Sequence, residues 1–291
     1  MPEMVRAQSQ MPPVGLRRRI TDHVMTGLAV LTVILVLAPL VAIFAYLVYK
    51  GVGSINWAFL TQTPKPVGEI GGGMANAIVG SIVILAIASV IGVPFGVGAG
   101  IYLAEFGQNR FGSTIRFTAD VLNGVPSIVI GIVAWGILVR GHGFSAMAGG
   151  VALAIMMVPT ICRTTEEMLR LVPQALREAA YGLGVPRWRT TLSIVLRTAT
   201  SGVITGVMLA FARVAGETAP LMFTAFGNSF WSTSINQPIA ALPLQIYVYA
   251  NSPYDDWHRQ AWAGSFVLIV LIVGAVSAVR YVVRRGSFGT T

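Results

Sequence analysis

The stretch Ala175–Leu196, ALREAAYGLGVPRWRTTLSIVL, is polar and basic, yet it lies between two of the most apolar runs in the chain. Ala175, Leu176, Ala179, Ala180 and Leu183 share one helical face, while Arg177, Glu178 and Tyr181 fall off that stripe. Gly184 can take the left-handed conformation that ends a helix, and Pro186 then restarts one. Trp188, Leu192 and Leu196 carry the pattern into a second amphipathic helix. The segment 163–200 therefore reads as a helix–turn–helix exposed to solvent. Periodicity alone leaves two uses open for it, a helix resting on lipid or a docking surface for a soluble partner.

The flanking runs are about 146–162 and 201–225, and four more share their pattern, about 24–49, 74–103, 121–139 and 262–283. A bilayer core asks for about 20 apolar helical residues. The chain has 291 residues, 55% of them hydrophobic and only 11% charged, against about 25% charged in soluble domains. This is the composition of an all-α integral membrane protein with six transmembrane helices. Arg17, Arg18 and Arg19 before the first run imitate a signal peptide, but that run exceeds the roughly 7–15 residues of a cleaved segment, so it is expected to stay as a span. The expected layout is a tail at 1–23, a six-span membrane domain at 24–285 with an outer segment at 226–260, and a tail at 286–291.

The net charge of +9 does not indicate nucleic acid, because the basic residues cluster at the ends of apolar segments. With the N-terminus inside, fifteen of the twenty basic residues fall on the inner side and four outside, and Arg213 lies within a span. Both termini are thus expected to be cytoplasmic. Cys162 is the only cysteine, and His23, His142 and His258 are far apart. Neither a disulfide framework nor a metal-ligand spacing is present.

Gly92, Gly96 and Gly100 recur every fourth residue in the second span, as do Gly202, Gly206 and Ala210 in the fifth. Small residues on one face let helices approach closely. Gly71-Gly72-Gly73 reads as a flexible entry loop. No internal repeat is evident, which weighs against a transporter built from two symmetric halves in one chain. The only lysines, Lys50 and Lys65, are not preceded by glycine, so the chain has no P-loop with which to hydrolyse ATP.

The fifth span carries Phe211–Pro220, FARVAGETAP. Arg213 and Glu217 are four residues apart, and on a continuous helix their side chains would meet. An arginine at a helix centre costs about 2.5–3.5 kcal/mol on insertion scales, so it needs either a structural partner or a ligand. Its planar donor fork suits an oxyanion. Gly124 and Pro126 near the start of the third span either kink it or free backbone groups to line a cavity.

Glu178-Ala179-Ala180, then Gly184, then Ile194 and Leu196 resemble the EAA loop of the type I ABC importer permeases, departing only at Arg197, where that family has proline. Within the family, GGGMANAIVGS at 71–81, GIYLAEF at 100–106, NGVPSIVIG at 123–131, RVAGETAPL at 213–221 and ALPLQIY at 241–247 resemble PstA-type phosphate permeases. The resemblance implies that 163–200 is the coupling loop for a separate ATPase subunit. It further implies that the chain forms half of a phosphate pathway with a PstC-type permease, above an ATPase homodimer that holds ATP and Mg, and is fed by an extracytoplasmic phosphate-binding protein. The location implied is the bacterial cytoplasmic membrane. In this reading Arg213, Glu217 and Thr218 line the substrate pathway, and the chain itself binds no cofactor. Alternatives remain: a permease for sulfate, molybdate or tungstate, a self-contained anion channel or secondary transporter, or a structural membrane subunit.

Overall fold

A computed structural model describes residues 15–287, and among them it contains eleven helices and no strand. The tails expected at 1–23 and 286–291 lie mostly outside these residues. The first helix, α1 (Leu16–Ser54), begins inside the expected tail and runs on past the apolar segment. The chain divides into two compact units, Met1–Tyr49 and Lys50–Thr291, and the helical bundle belongs to the second.

The short α2 (Trp57–Thr61) starts where Asn56 Oδ1 accepts from the Phe59 N–H at 2.7 Å. The long α3 (Ala75–Glu105) has no side-chain cap. Instead the preceding loop supplies carbonyls: Gly73, Met74 and Ala75 N–H groups donate to Thr63, Phe59 and Gln62. Gly71 and Gly72 both adopt positive φ. The Gly71 N–H donates to Asp256, and its carbonyl accepts from Gln260. The glycine triplet expected to be a flexible loop is therefore tied on both sides.

The expected third span, 121–139, is not one rod. Helix α4 (Arg110–Gly124) and α5 (Ser127–Ala134, continued by a wider turn at Trp135–Val139) meet at 106°. Proline has no N–H to donate and forces its predecessor into extended conformation, and Val125 sits at φ −71, ψ 131. The fourth span, expected to stop near 162, continues as α6 (Ala146–Arg170). Its extra turns hold Arg163 against Glu167 at 2.9 Å and Glu166 against Arg170 at 2.6 Å, both at i,i+4 spacing.

After α7 (Gln174–Gly182) the chain turns into α8 (Arg187–Ala215). The expected second loop helix is thus the first turns of the fifth span, with a π-type stretch at Thr191–Val195. The expected run to 225 is broken after Ala215, and the short α9 (Ala219–Thr224) follows with Pro220 in its first turn. Helix α10 (Leu242–Ala250) and the long α11 (Asp255–Ser287) complete the chain. Five helices are long and apolar enough to cross a membrane, or six if the bent α4–α5 pair counts as one.

Between α9 and α10, Ile239–Leu242 is almost wholly buried although non-helical until its last residue. At its end the Leu242 N–H donates to Ser81 Oγ of α3 at 2.7 Å. Carbonyls of Thr224, Gln237 and Ile235 take the N–H groups of Ser145, Ala146 and Met147 at the start of α6. Buried backbone away from water must be paired in this way.

Helices α3 and α6 run parallel and carry the main core, with Ile84, Leu85 and Ala88 against Leu153, Met157 and Ile161. A Cβ placed on Gly92, Gly96 or Gly100 would meet Met157, Ile161 or Thr165, each four residues further along α6. At Gly96 the gap to Ile161 Cβ would be 2.7 Å. On the antiparallel α8, Gly202 and Gly206 lie against Met168 and Thr164 in the same stepwise manner. Lipid tails give no hydrophobic drive for helix association, so contacts of this closeness carry the packing.

Candidate functional site

Two regions with charged side chains lie at the two ends of α8. At the arginine-rich end, Glu166 is 2% exposed. Three guanidinium groups surround it: Arg116 Nε at 2.7 Å, Arg170 at 2.6 Å and Arg163 at 3.9 Å. Arg116 also donates to the carbonyls of Leu103 and Gly107, which ties α4 to both α3 and α6. Arg177 of α7 donates to Glu105 at 2.9 and 3.3 Å and to the end carbonyls Leu169 and Val172. One guanidinium thus fastens α7 to the ends of α3 and α6, where helix dipoles favour a cation.

The exposure of α7 agrees with the sequence reading of a solvent-facing helix–turn–helix. Of its apolar stripe only Ala180 is buried, whereas Ala175, Leu176, Ala179 and Leu183 are exposed together with Glu178. Arg177, placed off the stripe by periodicity, faces the bundle. The turn after α7 closes with Val185 N–H on Ala180 C=O and Gly184 N–H on Tyr181 C=O, the paired pattern of a left-handed helix end. Gly184 sits there at φ +76. Ile194 and Leu196 lie at the base of α8, and Leu196 packs on a small cluster around Leu169, Val172 and Val195.

The opposite region is built from two helix breaks. In the first, Asn123 at the end of α4 accepts from Thr160 Oγ1 at 3.0 Å, and Val125 packs on the core that includes Val214 and Ala215. In the second, Gly216 ends α8 and Pro220 starts α9. Gly131 of α5 packs so closely on α9 that an added Cβ would lie 2.9 Å from Pro220 Cα. The two breaks are therefore joined through α5 and α9.

Arg213 lies in the last turn of α8 and is exposed, Glu217 lies in the break, and Thr218 precedes α9. Because the helix ends between them, Arg213 and Glu217 are not one turn apart on a continuous face, which corrects the geometry expected from spacing. Among the described residues, neither side chain makes an ion pair or hydrogen bond. Arg213 lies two residues before the end of α8 at Ala215.

Sequence reasoning missed Glu105, Arg116, Glu166 and the anchoring role of Arg177. The i,i+3 and i,i+4 spacing of Arg163, Glu166, Glu167 and Arg170 was a readable signal. The cross-chain partners Arg116 and Glu105, 50 and 72 residues away from theirs, had none. No group of His, Cys, Asp and Glu among the described residues could hold a metal ion.

Residues 96–287 match the family described as binding-protein-dependent transport system inner membrane component. The phosphate transport system permease protein PstA of Yersinia pestis is 43% identical over 92% of this chain and 92% of its own length. The protein of the same name from Haemophilus influenzae is 44% identical over 88% of this chain and 91% of its own. A PstA 1 permease of Mycobacterium tuberculosis is 35% identical over 94% of this chain and 92% of its own. The fold is also that of a chain in the inward-facing MetNI methionine ABC transporter, with a TM-score of 0.57 at 18% identity, covering 75% of this chain and 97% of that one. With 192 of its 291 residues matched and relatives aligned over nearly all of it, this chain belongs to the binding-protein-dependent transport inner membrane component family, on its PstA branch.

Proposed function

We propose that the chain is one of two permease subunits forming the translocation pathway for inorganic phosphate in an ATP-driven importer of the bacterial cytoplasmic membrane. The observation that carries this reading is Arg213: an arginine within membrane depth, at a helix break, with no protein partner among the described residues. Intramembrane charges without structural partners mark substrate routes, and a guanidinium fork matches a phosphate oxyanion. The names of the relatives supply the choice of phosphate among oxyanions.

In this arrangement Arg213 holds the anion transiently, and Thr218 adds a hydroxyl at the same break. Glu217 weakens the field so that the anion is not trapped. A PstC-type permease completes the pathway, and an extracytoplasmic phosphate-binding protein delivers the substrate. The exposed Glu178, Ala179 and Leu183 face of α7 docks on an ATPase homodimer, which holds ATP and Mg, while Arg177 relays its movement to α3 and α6. Both termini and α7 lie on the cytoplasmic side, as the distribution of arginines supports.

The test is uptake by the purified complex in proteoliposomes, with phosphate, sulfate and molybdate offered in turn and ATP inside or withheld. ATP-dependent accumulation of phosphate alone is the expected result. Accumulation of another oxyanion in preference would move the substrate assignment, and accumulation without ATP would end the importer reading.

A further inference from the structure

We propose a second oxyanion site, separate from Arg213, in the groove between α7 and the end of the α3–α6 pair. The groove encloses about 550 Å³, room for a phosphoryl group with an attached headgroup or for hydrated inorganic phosphate. It is lined by three arginines, Arg170, Arg177 and Arg187, against one carboxylate, Glu105. Arg177 offsets the charge of that carboxylate through two contacts on its Oε1, which leaves Oε2 without a hydrogen bond among the described residues.

The remaining polar lining is rich in unused donors. Gln108 comes from the α3–α4 turn, Gln174 and Tyr181 from the two ends of α7, and Arg187 from the start of α8. Among the described residues none of these four side chains makes a hydrogen bond or ion pair. Arg170 spends one nitrogen on Glu166, which leaves further N–H groups of its planar fork for another acceptor. A net positive groove whose free groups are mostly donors selects a ligand rich in acceptor oxygens and negative charge. A phosphoryl oxyanion meets that description. It has two sources at this depth, free phosphate and the headgroup of an anionic phospholipid. Because Arg170 belongs to α6 while Gln174, Tyr181 and Arg187 belong to α7 and α8, an occupant would clamp α7 against the bundle.

The site is tested on the full-length chain purified with its partner subunits and placed in nanodiscs, with Phe106→Cys in the groove lining carrying an environment-sensitive dye in a Cys162→Ala background. Inorganic phosphate is titrated in zwitterionic discs, and the same titration is repeated in discs containing phosphatidylglycerol. A saturable dye response is expected in wild type and in Arg213→Ala, weakened about tenfold or more in Arg187→Gln. If free phosphate is the occupant, both disc types respond alike. If the headgroup is the occupant, phosphatidylglycerol gives the response without phosphate, and Arg187→Gln removes it. Absence of a saturable response to either source overturns the proposal, as does a response that Arg187→Gln leaves intact. A response seen only after the ATPase subunit is stripped away also overturns it, because the groove would then belong to a protein contact.

Discussion

Arg116 and Arg213 are both arginines of the helical bundle, and the structure treats them in opposite ways. Arg116 reaches a carboxylate on another helix and two backbone carbonyls. Arg213 has a glutamate four residues away in sequence and touches it nowhere. Proximity in sequence did not make a pair, because the helix that would have aligned the two ends at Gly216. Proximity in space did, across 50 residues, because α4 lies against α6. The arginine-rich end uses its charges to join helices, and the far end leaves its charge free.

The largest effect should come from the joined end. Glu166→Gln leaves Arg116 beside a neutral amide in a buried site, and removing one member of such a cluster costs about 3–5 kcal/mol. Arg170 is 55% exposed and can turn to solvent, which places the expected loss near the lower figure. Thermal unfolding of the purified complex would measure it. A midpoint equal to wild type would mean that the cluster joins nothing.

Gly96→Leu comes next. Its Cβ would press on Ile161, and overpacking of this kind costs about 1–3 kcal/mol. Gly98→Leu, with open space around it, is the control and should be nearly neutral by the same measurement. Equal losses in both would show that the α3–α6 seam is looser than the structure has it.

Much of this frame was legible in the sequence, and the reasons are physical. Hydropathy marks the spans because lipid selects composition, and the four-residue glycine step marks the α3–α6 seam because helices repeat. Pro126 flagged the first break, but a proline fixes only local dihedrals, so the 106° turn at α4–α5 depends on packing that no window contains, and the break after Ala215 lay inside a run expected to be continuous to 225. The anchor of α7 was hidden for a related reason. Periodicity sorts residues by polarity, and Arg177 faces inward because its partners are Glu105 and helix-end carbonyls elsewhere in the chain. Arg213 was found by its charge, while its lack of a partner needed the helix end.

Gly184→Val should have a smaller and local effect. A β-branched residue at φ +76 strains the backbone by about 1–2 kcal/mol, and no neighbour blocks the added side chain. Hydrogen exchange should quicken over 180–186 and stay unchanged in α3. Faster exchange spread into α3 and α6 would mean that the turn, rather than Arg177, holds α7 in place.

The smallest stability effect should come from Arg213, and there the contrast between the two ends meets its most direct test. In Arg213→Ala the unfolding midpoint of the purified complex should match wild type, because no ion pair or hydrogen bond among the described residues is lost, while ATP-driven phosphate uptake should vanish. A midpoint lowered as far as that of Glu166→Gln, or uptake at the wild-type rate, would contradict the claim that this arginine is kept free for the transported anion.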